Sequence, residues 1–114
     1  MPDHHPASPV RDVDALEAQR LIAGGAFVLD VREPFEWAEA HIEGSELVPL
    51  ARLQAASVPE GRPVVVVCRS GRRSAVAVQL LQSTGRRDVV NLAGGVLAWA
   101  SAGLALTREG AGVR

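Results

Sequence analysis

The sequence contains no lysine and no tyrosine, a single cysteine, and only two phenylalanines and two tryptophans. Each shortage excludes something. Without lysine, neither Schiff-base chemistry nor a phosphate-binding P-loop lysine is open to the chain. One cysteine cannot close an internal disulfide, so the chain is not a secreted scaffold stapled by bridges, and its thiol is free to react in a reducing compartment. No apolar run approaches the length needed to cross a bilayer, and "MPDHHPASPVRD" lacks the basic start and apolar core of a signal peptide. A cytoplasmic protein with no membrane partner is expected. A formal net charge of -1 lacks the strongly basic footprint of a dedicated nucleic-acid binder, which leaves small anions as the expected partners of the arginine clusters.

What is present suits one folded domain. The 114 residues, 47% hydrophobic and 22% charged, suffice for a core without metal or disulfides. Residues 1–9, with three prolines and two histidines, read as a flexible leader. His4 and His5 are expected to be solvated rather than metal ligands, and no metal or other cofactor is expected. The folded domain is expected over residues 10–106, with a flexible tail over 107–114.

"DALEAQRLIAGG" predicts a helix with Asp14 as N-cap, Leu16, Leu21 and Ile22 toward one face, and a stop at Gly24 and Gly25. "AFVLDV" predicts a buried strand ending near Asp30, "EPFEWAEAH" a short helix with Pro34 in its first turn, and "SELVPL" a brief extended piece. "PVVVVC", β-branched and without polar alternation, predicts the central strand. "RRSAVAVQLLQSTG" predicts a helix with Val76, Leu80 and Leu81 toward one face; "DVVNL" predicts a strand, and "GGVLAWASAG" a last helix. Strands alternating with helices give an α/β fold with a mostly parallel sheet and helices on both faces.

The chemistry concentrates in "CRSGRRS", residues 68–74. Cys68 follows the central strand and so falls at the carboxyl edge of the sheet, where ligands of open α/β folds bind. Gly71 permits a tight turn whose amides can point at one spot. A thiol over such donors, at a helix N-terminus and near Arg69, Arg72 and Arg73, is expected to ionise below the usual cysteine value. A buried structural cysteine is the alternative. Three arginines at the positive end of a helix argue against it, because the dipole opposes them unless an anion is bound.

Three segments, "VLDVREPFEWAEAHIEG", "CRSGRRS" and "NLAGGVLAWASAGLAL", together resemble the single-domain rhodanese (sulfurtransferase) family. The resemblance implies a rhodanese-like three-layer α/β domain whose Cys68 takes sulfane sulfur from a small anionic donor such as thiosulfate. The sulfur is held as a persulfide and passed to cyanide, a thiol or a sulfur-carrier protein. It further implies that the loop residues Arg69, Ser70, Gly71, Arg72 and Arg73 cradle the anionic sulfur and that Arg32 lies near the active site. Asp30, Glu36 and Ser74 are expected to give structural support, the two carboxylates by fixing Arg32 or Arg73. Related phosphatases and arsenate reductases carry one more residue between cysteine and arginine. The four residues between Cys68 and Arg73 favour a sulfur atom over a tetrahedral oxyanion. A sulfur-relay module that trades persulfide between proteins is the alternative function.

The segment "AHIEGSELVPL" departs from the family's usual "GHIPGAxNIPL" at Ala40, Glu43, Ser45 and Leu47. His41 could be imagined as a general base, but a loop that already stabilises the thiolate has little need of one. Trp37 and Trp99 read as core or pocket wall, and the two glycines of "LAGGV" as a point of close backbone approach.

Overall fold

A computed structural model describes residues 9–54 and 57–109. His4 and His5, most of the expected leader and the last five residues of the expected tail lie outside that range. Strands β1 (Asp12–Val13), β2 (Phe27–Asp30), β3 (Glu46–Leu47), β4 (Val64–Val67) and β5 (Val89–Leu92) alternate with helices α1 (Ala15–Ala23), α2 (Pro34–Glu39), α3 (Arg72–Ser83) and α4 (Gly95–Ser101). A 3-10 turn spans Leu50–Arg52. The five strands form one parallel sheet in the order β1-β5-β4-β2-β3.

The valine run is the central strand, as its composition predicts, and all four of its side chains are fully buried. Strand alternation divides them between two cores. Val65 and Val67 join Val28, Val90 and Leu92 under α1 and α4, while Val64 and Val66 join Leu29, Val31 and Val89 under α3. Helices therefore cover both faces, and the three-layer α/β architecture expected from the sequence is present.

Two helix faces differ from expectation. The faces that meet the sheet carry small residues: Ala15 and Ala18 in α1, and Ser74, Ala77 and Val78 beside Leu81 in α3. Leu16, Val76 and Leu80, expected on the buried faces, are about half exposed. Close approach of a helix to a sheet favours small side chains at the contact, so side-chain size misleads where spacing alone finds the i, i+3, i+4, i+7 set in α3.

Two further elements come from outside the expected pattern. The short edge strand β1 pairs with β5, Asp12 opposite Asn91 and Val13 opposite Leu92. Beyond residue 106, Thr107 exchanges backbone hydrogen bonds of 2.7 and 2.8 Å with His41, and the Glu109 amide donates to the Ala38 carbonyl at 3.0 Å.

Because all strands are parallel, the segments that follow β2, β4 and β5 emerge at one edge. From β2 the chain turns outward through α2 to β3, and from β4 it turns the opposite way through α3 to β5. The crevice between β2 and β4 is therefore the switch point at which ligands bind in such sheets. Cys68, directly after β4, stands on it.

Candidate active site

The 68–74 loop is built around Gly71, whose φ of +100° places it in the left-handed region as the N-cap of α3. That turn aims the Gly71 amide at the Cys68 sulfur, donating to Sγ at 3.0 Å. The amides of Ser70 and Ser74 face the same atom, and the Ser74 hydroxyl lies 3.3 Å from it. Cys68 is only 1% exposed, and burial pushes its acidity the wrong way. The Ser74 hydroxyl and the three amides outweigh that penalty and hold the thiol below its ordinary value. The sulfur is thus enclosed, but by inward-facing donors rather than by hydrocarbon alone.

A second backbone segment fixes the loop from outside. The amides of Val96 and Leu97, in the first turn of α4, donate to the carbonyls of Cys68 and Arg69 at 2.9 and 3.2 Å. With those carbonyls drawn outward to α4, the peptide planes of the loop are held from behind. The approach demands glycine: a Cβ on Gly95 would stand 2.3 Å from the Cys68 carbonyl oxygen, and its φ is +60°. The paired glycines of "LAGGV" thus serve close backbone packing.

The charged residues separate into two clamps. Arg32, 4% exposed, spends its guanidinium on Asp30 through Nε (2.9 Å) and Nη2 (2.7 Å), and on the Ala40 carbonyl (2.7 Å). Its Nη1 points at the Glu36 carbonyl, so the group addresses the protein and ties β2 to α2 and its C-cap. Arg73 is gripped by Glu36 in a bidentate pair of 2.7 and 2.9 Å. That hydrogen-bonded pair lowers Glu36 to about 2 despite its partial burial, and the Glu36 contact, aided by the nearby Cys68 and Asp30 charges, raises Arg73. Glu36 Oε1 also accepts from the Glu33 amide at 2.9 Å, completing a capping box on α2. Arg69, Ser70 and Arg72 are exposed around the loop.

His41 is buried and structural in its contacts. Its ring stacks on Trp37 with centroids 3.6 Å apart, and Nδ1 donates to the Trp37 carbonyl at 2.6 Å. Ser45, one of the departures from the usual family segment, accepts from Trp37 Nε1 at 3.0 Å. Trp99 is buried in the core and donates to the Ala105 carbonyl at 2.9 Å.

Sequence reasoning passes over Asn91. It lies in β5, where an amide among fully buried valines and leucine must find partners. Its Nδ2 donates to Asp12 Oδ1 at 2.9 Å and to the Gly71 carbonyl at 3.3 Å, and its Oδ1 accepts from the Ser74 hydroxyl. The polar residue in "VVNL" is the available signal.

A parallel α/β sheet that presents an enclosed, amide-cradled thiol at its switch point defines a cysteine-loop α/β domain. Residues 14–102 match the Rhodanese-like domain family, and the chain belongs to that family. It is similar to the thiosulfate sulfurtransferase GlpE of Pseudomonas fluorescens, with 38% identity over 98 residues that cover 82% of this chain and 88% of that protein. It is also 37% identical over 91 residues to the probable adenylyltransferase/sulfurtransferase MoeZ of Mycobacterium tuberculosis. That match takes in 76% of this chain but only 22% of the mycobacterial protein, so the chain spans about a fifth of that relative. Among solved structures, a rhodanese-related protein from Thermoplasma volcanium superposes with a TM-score of 0.79 at 32% identity, covering 87% of this chain and 99% of that one. Among the described residues, no helix is long and apolar enough to cross a membrane.

Proposed function

We propose that this domain is a sulfurtransferase that carries sulfane sulfur on Cys68, working in a reducing, cytoplasmic setting. The observation that carries the reading is the Cys68 sulfur held under the Gly71 amide at 3.0 Å at the N-terminus of α3. In the first half-reaction the thiolate attacks the outer sulfur of a donor such as thiosulfate. A bond forms to Sγ, the donor's sulfur–sulfur bond breaks, and sulfite leaves with the electron pair. In the second, cyanide or a thiol attacks the outer sulfur, and Sγ departs as the thiolate that the loop is built to hold. Arg69, Ser70, Gly71, Arg72 and Arg73 receive the anionic donor, while Asp30, Glu36 and Ser74 keep the loop and its arginines in place. Arg32 supports the site through the β2–α2 segment.

Steady-state formation of thiocyanate from thiosulfate and cyanide tests this reading. The wild-type domain turns over and Cys68→Ser does not; equal turnover by the two would end it.

A second reading is a relay module that receives persulfide from one protein and hands it to another. It is favoured by the similarity to a segment of a much longer adenylyltransferase/sulfurtransferase. It predicts negligible turnover of free thiosulfate with rapid loading of Cys68 by a persulfide-bearing protein.

A further inference from the structure

The Ser74 hydroxyl stands between two acceptors with one proton to give. On one side is Cys68 Sγ at 3.3 Å, on the other the side-chain Oδ1 of Asn91. Asn91 cannot relieve the competition by turning its amide, because its nitrogen is matched to two acceptors, Asp12 Oδ1 and the Gly71 carbonyl. A flip would set oxygen against oxygen at both. We propose that Asn91, oriented by Asp12, is a positioning residue that competes with Cys68 for the single hydroxyl proton of Ser74.

The competition has a chemical use, which rests on the sulfur-transfer reading above. In the free enzyme the negative charge is on Sγ, and the Ser74 proton turns toward it. Once sulfur has been taken up, the charge moves outward to the terminal sulfur and Sγ becomes a neutral bridging atom. The hydroxyl then rotates to Asn91. No proton changes owner. Asn91 supplies the alternative acceptor that keeps Ser74 satisfied while Sγ is uncharged, and it weakens the hold on the bare thiolate.

Other charges on the elements packed around the loop are Arg73 of α3, clamped to Glu36 of α2, the Asp30–Arg32 pair at the end of β2, and Asp12 itself. Arg69 and Arg72 lie on the exposed side of the loop, and α4 carries no titratable side chain. Of these, Asp12 hydrogen-bonds Asn91.

The test is the pH dependence of Cys68 alkylation by iodoacetamide, which needs no sulfur donor and so stands or falls separately from the sulfurtransferase reading. Asn91→Ala should lower the alkylation midpoint, but it disturbs a buried strand. Asp12 is exposed on the edge strand, so Asp12→Ala is the decisive variant. It loosens the amide and should raise the alkylation rate, measured about one pH unit below the wild-type midpoint, by roughly two- to threefold. Asp12→Asn keeps an acceptor and should behave as wild type. In a Ser74→Ala background, whose own midpoint rises, Asp12→Ala should have no effect. An unchanged midpoint in Asp12→Ala, an equal change in Asp12→Asn, or a change that survives Ser74→Ala would each overturn the proposal.

Discussion

Glu36 holds Arg73 by two hydrogen bonds, 2.7 Å to Nη1 and 2.9 Å to Nη2, and so joins the short helix α2 to the first turn of the helix that carries the cysteine loop. The loop therefore depends on a segment 37 residues away in sequence. Replacing the carboxylate with an amide, Glu36→Gln, keeps the shape but surrenders the charge. Thiosulfate turnover should fall roughly tenfold or more, the rate equivalent of about 1.4 kcal/mol of misplaced donors. Unchanged kcat/KM would mean that Arg73 needs no anchor.

The same pair makes stability depend on pH. Glu36 lies near 2 in the folded protein against an ordinary 4.5. A depressed folded value stabilises fully above the unfolded one, and the stabilisation is lost as pH falls from about 4.5 toward 2. Because Arg73 is 37% exposed, the contribution is screened to about 1–2 kcal/mol. Urea denaturation across this window should show that loss in wild type, smaller by that amount in Glu36→Gln.

Gly95→Ala tests the backbone contact behind the loop. Its Cβ would meet the carbonyl oxygens of Cys68 and Arg69 at 2.3 and 2.4 Å, both backbone atoms that cannot swing aside. A loss of about 3–4 kcal/mol is expected, together with loss of activity in the protein that still folds. Gly85→Ala is the control, since its φ of +96° carries strain but nothing lies within 4 Å of the added carbon. It should cost about 1 kcal/mol and leave turnover intact.

Arg32 separates support from substrate contact. Arg32→Ala leaves Asp30, which is fully buried, without its partner, and about 3–5 kcal/mol of stability should go with it. Arg32→Lys keeps the charge but loses the bidentate grip. If Arg32 acts by holding the β2–α2 segment, Arg32→Lys lowers the thermal midpoint more than it alters the KM for thiosulfate. A large rise in KM at unchanged stability would make it a direct contact instead.

The contact between Ser45 and Trp37 is the mildest case. Ser45→Ala restores the residue more usual in the family and strips the indole N–H of its 3.0 Å partner. About 1 kcal/mol of stability should be lost without effect on turnover, read by chemical denaturation and by the thiocyanate assay side by side.

Most of the architecture is legible in the sequence because its carriers are local. The valine run, Asp14 as the cap of α1 and Pro34 at the start of α2 each act within a few residues. Cys68 and Gly71 are legible for the same reason, since strand, thiol and turn follow one another in seven residues. The helix faces are hard to read because large apolar residues outshine the alanines that fit the sheet. The support behind the site is hidden because it is long-range. Asn91 reaches 79 positions back to Asp12, on a two-residue strand too short to carry a pattern, and 17 positions to Ser74. Nothing in "GGVL" alone says that the amides of Val96 and Leu97 will dock on the carbonyls of residues 68 and 69.

The central claim is that Cys68 is a carrier of one sulfur atom, and intact-protein mass spectrometry after incubation with thiosulfate addresses it without a coupled assay. The wild-type domain should gain about 32 Da, localised to Cys68 and removed by cyanide, while Cys68→Ser gains nothing. A thiol that stays unmodified by thiosulfate and by persulfide-bearing proteins alike, though it alkylates readily, would contradict the account.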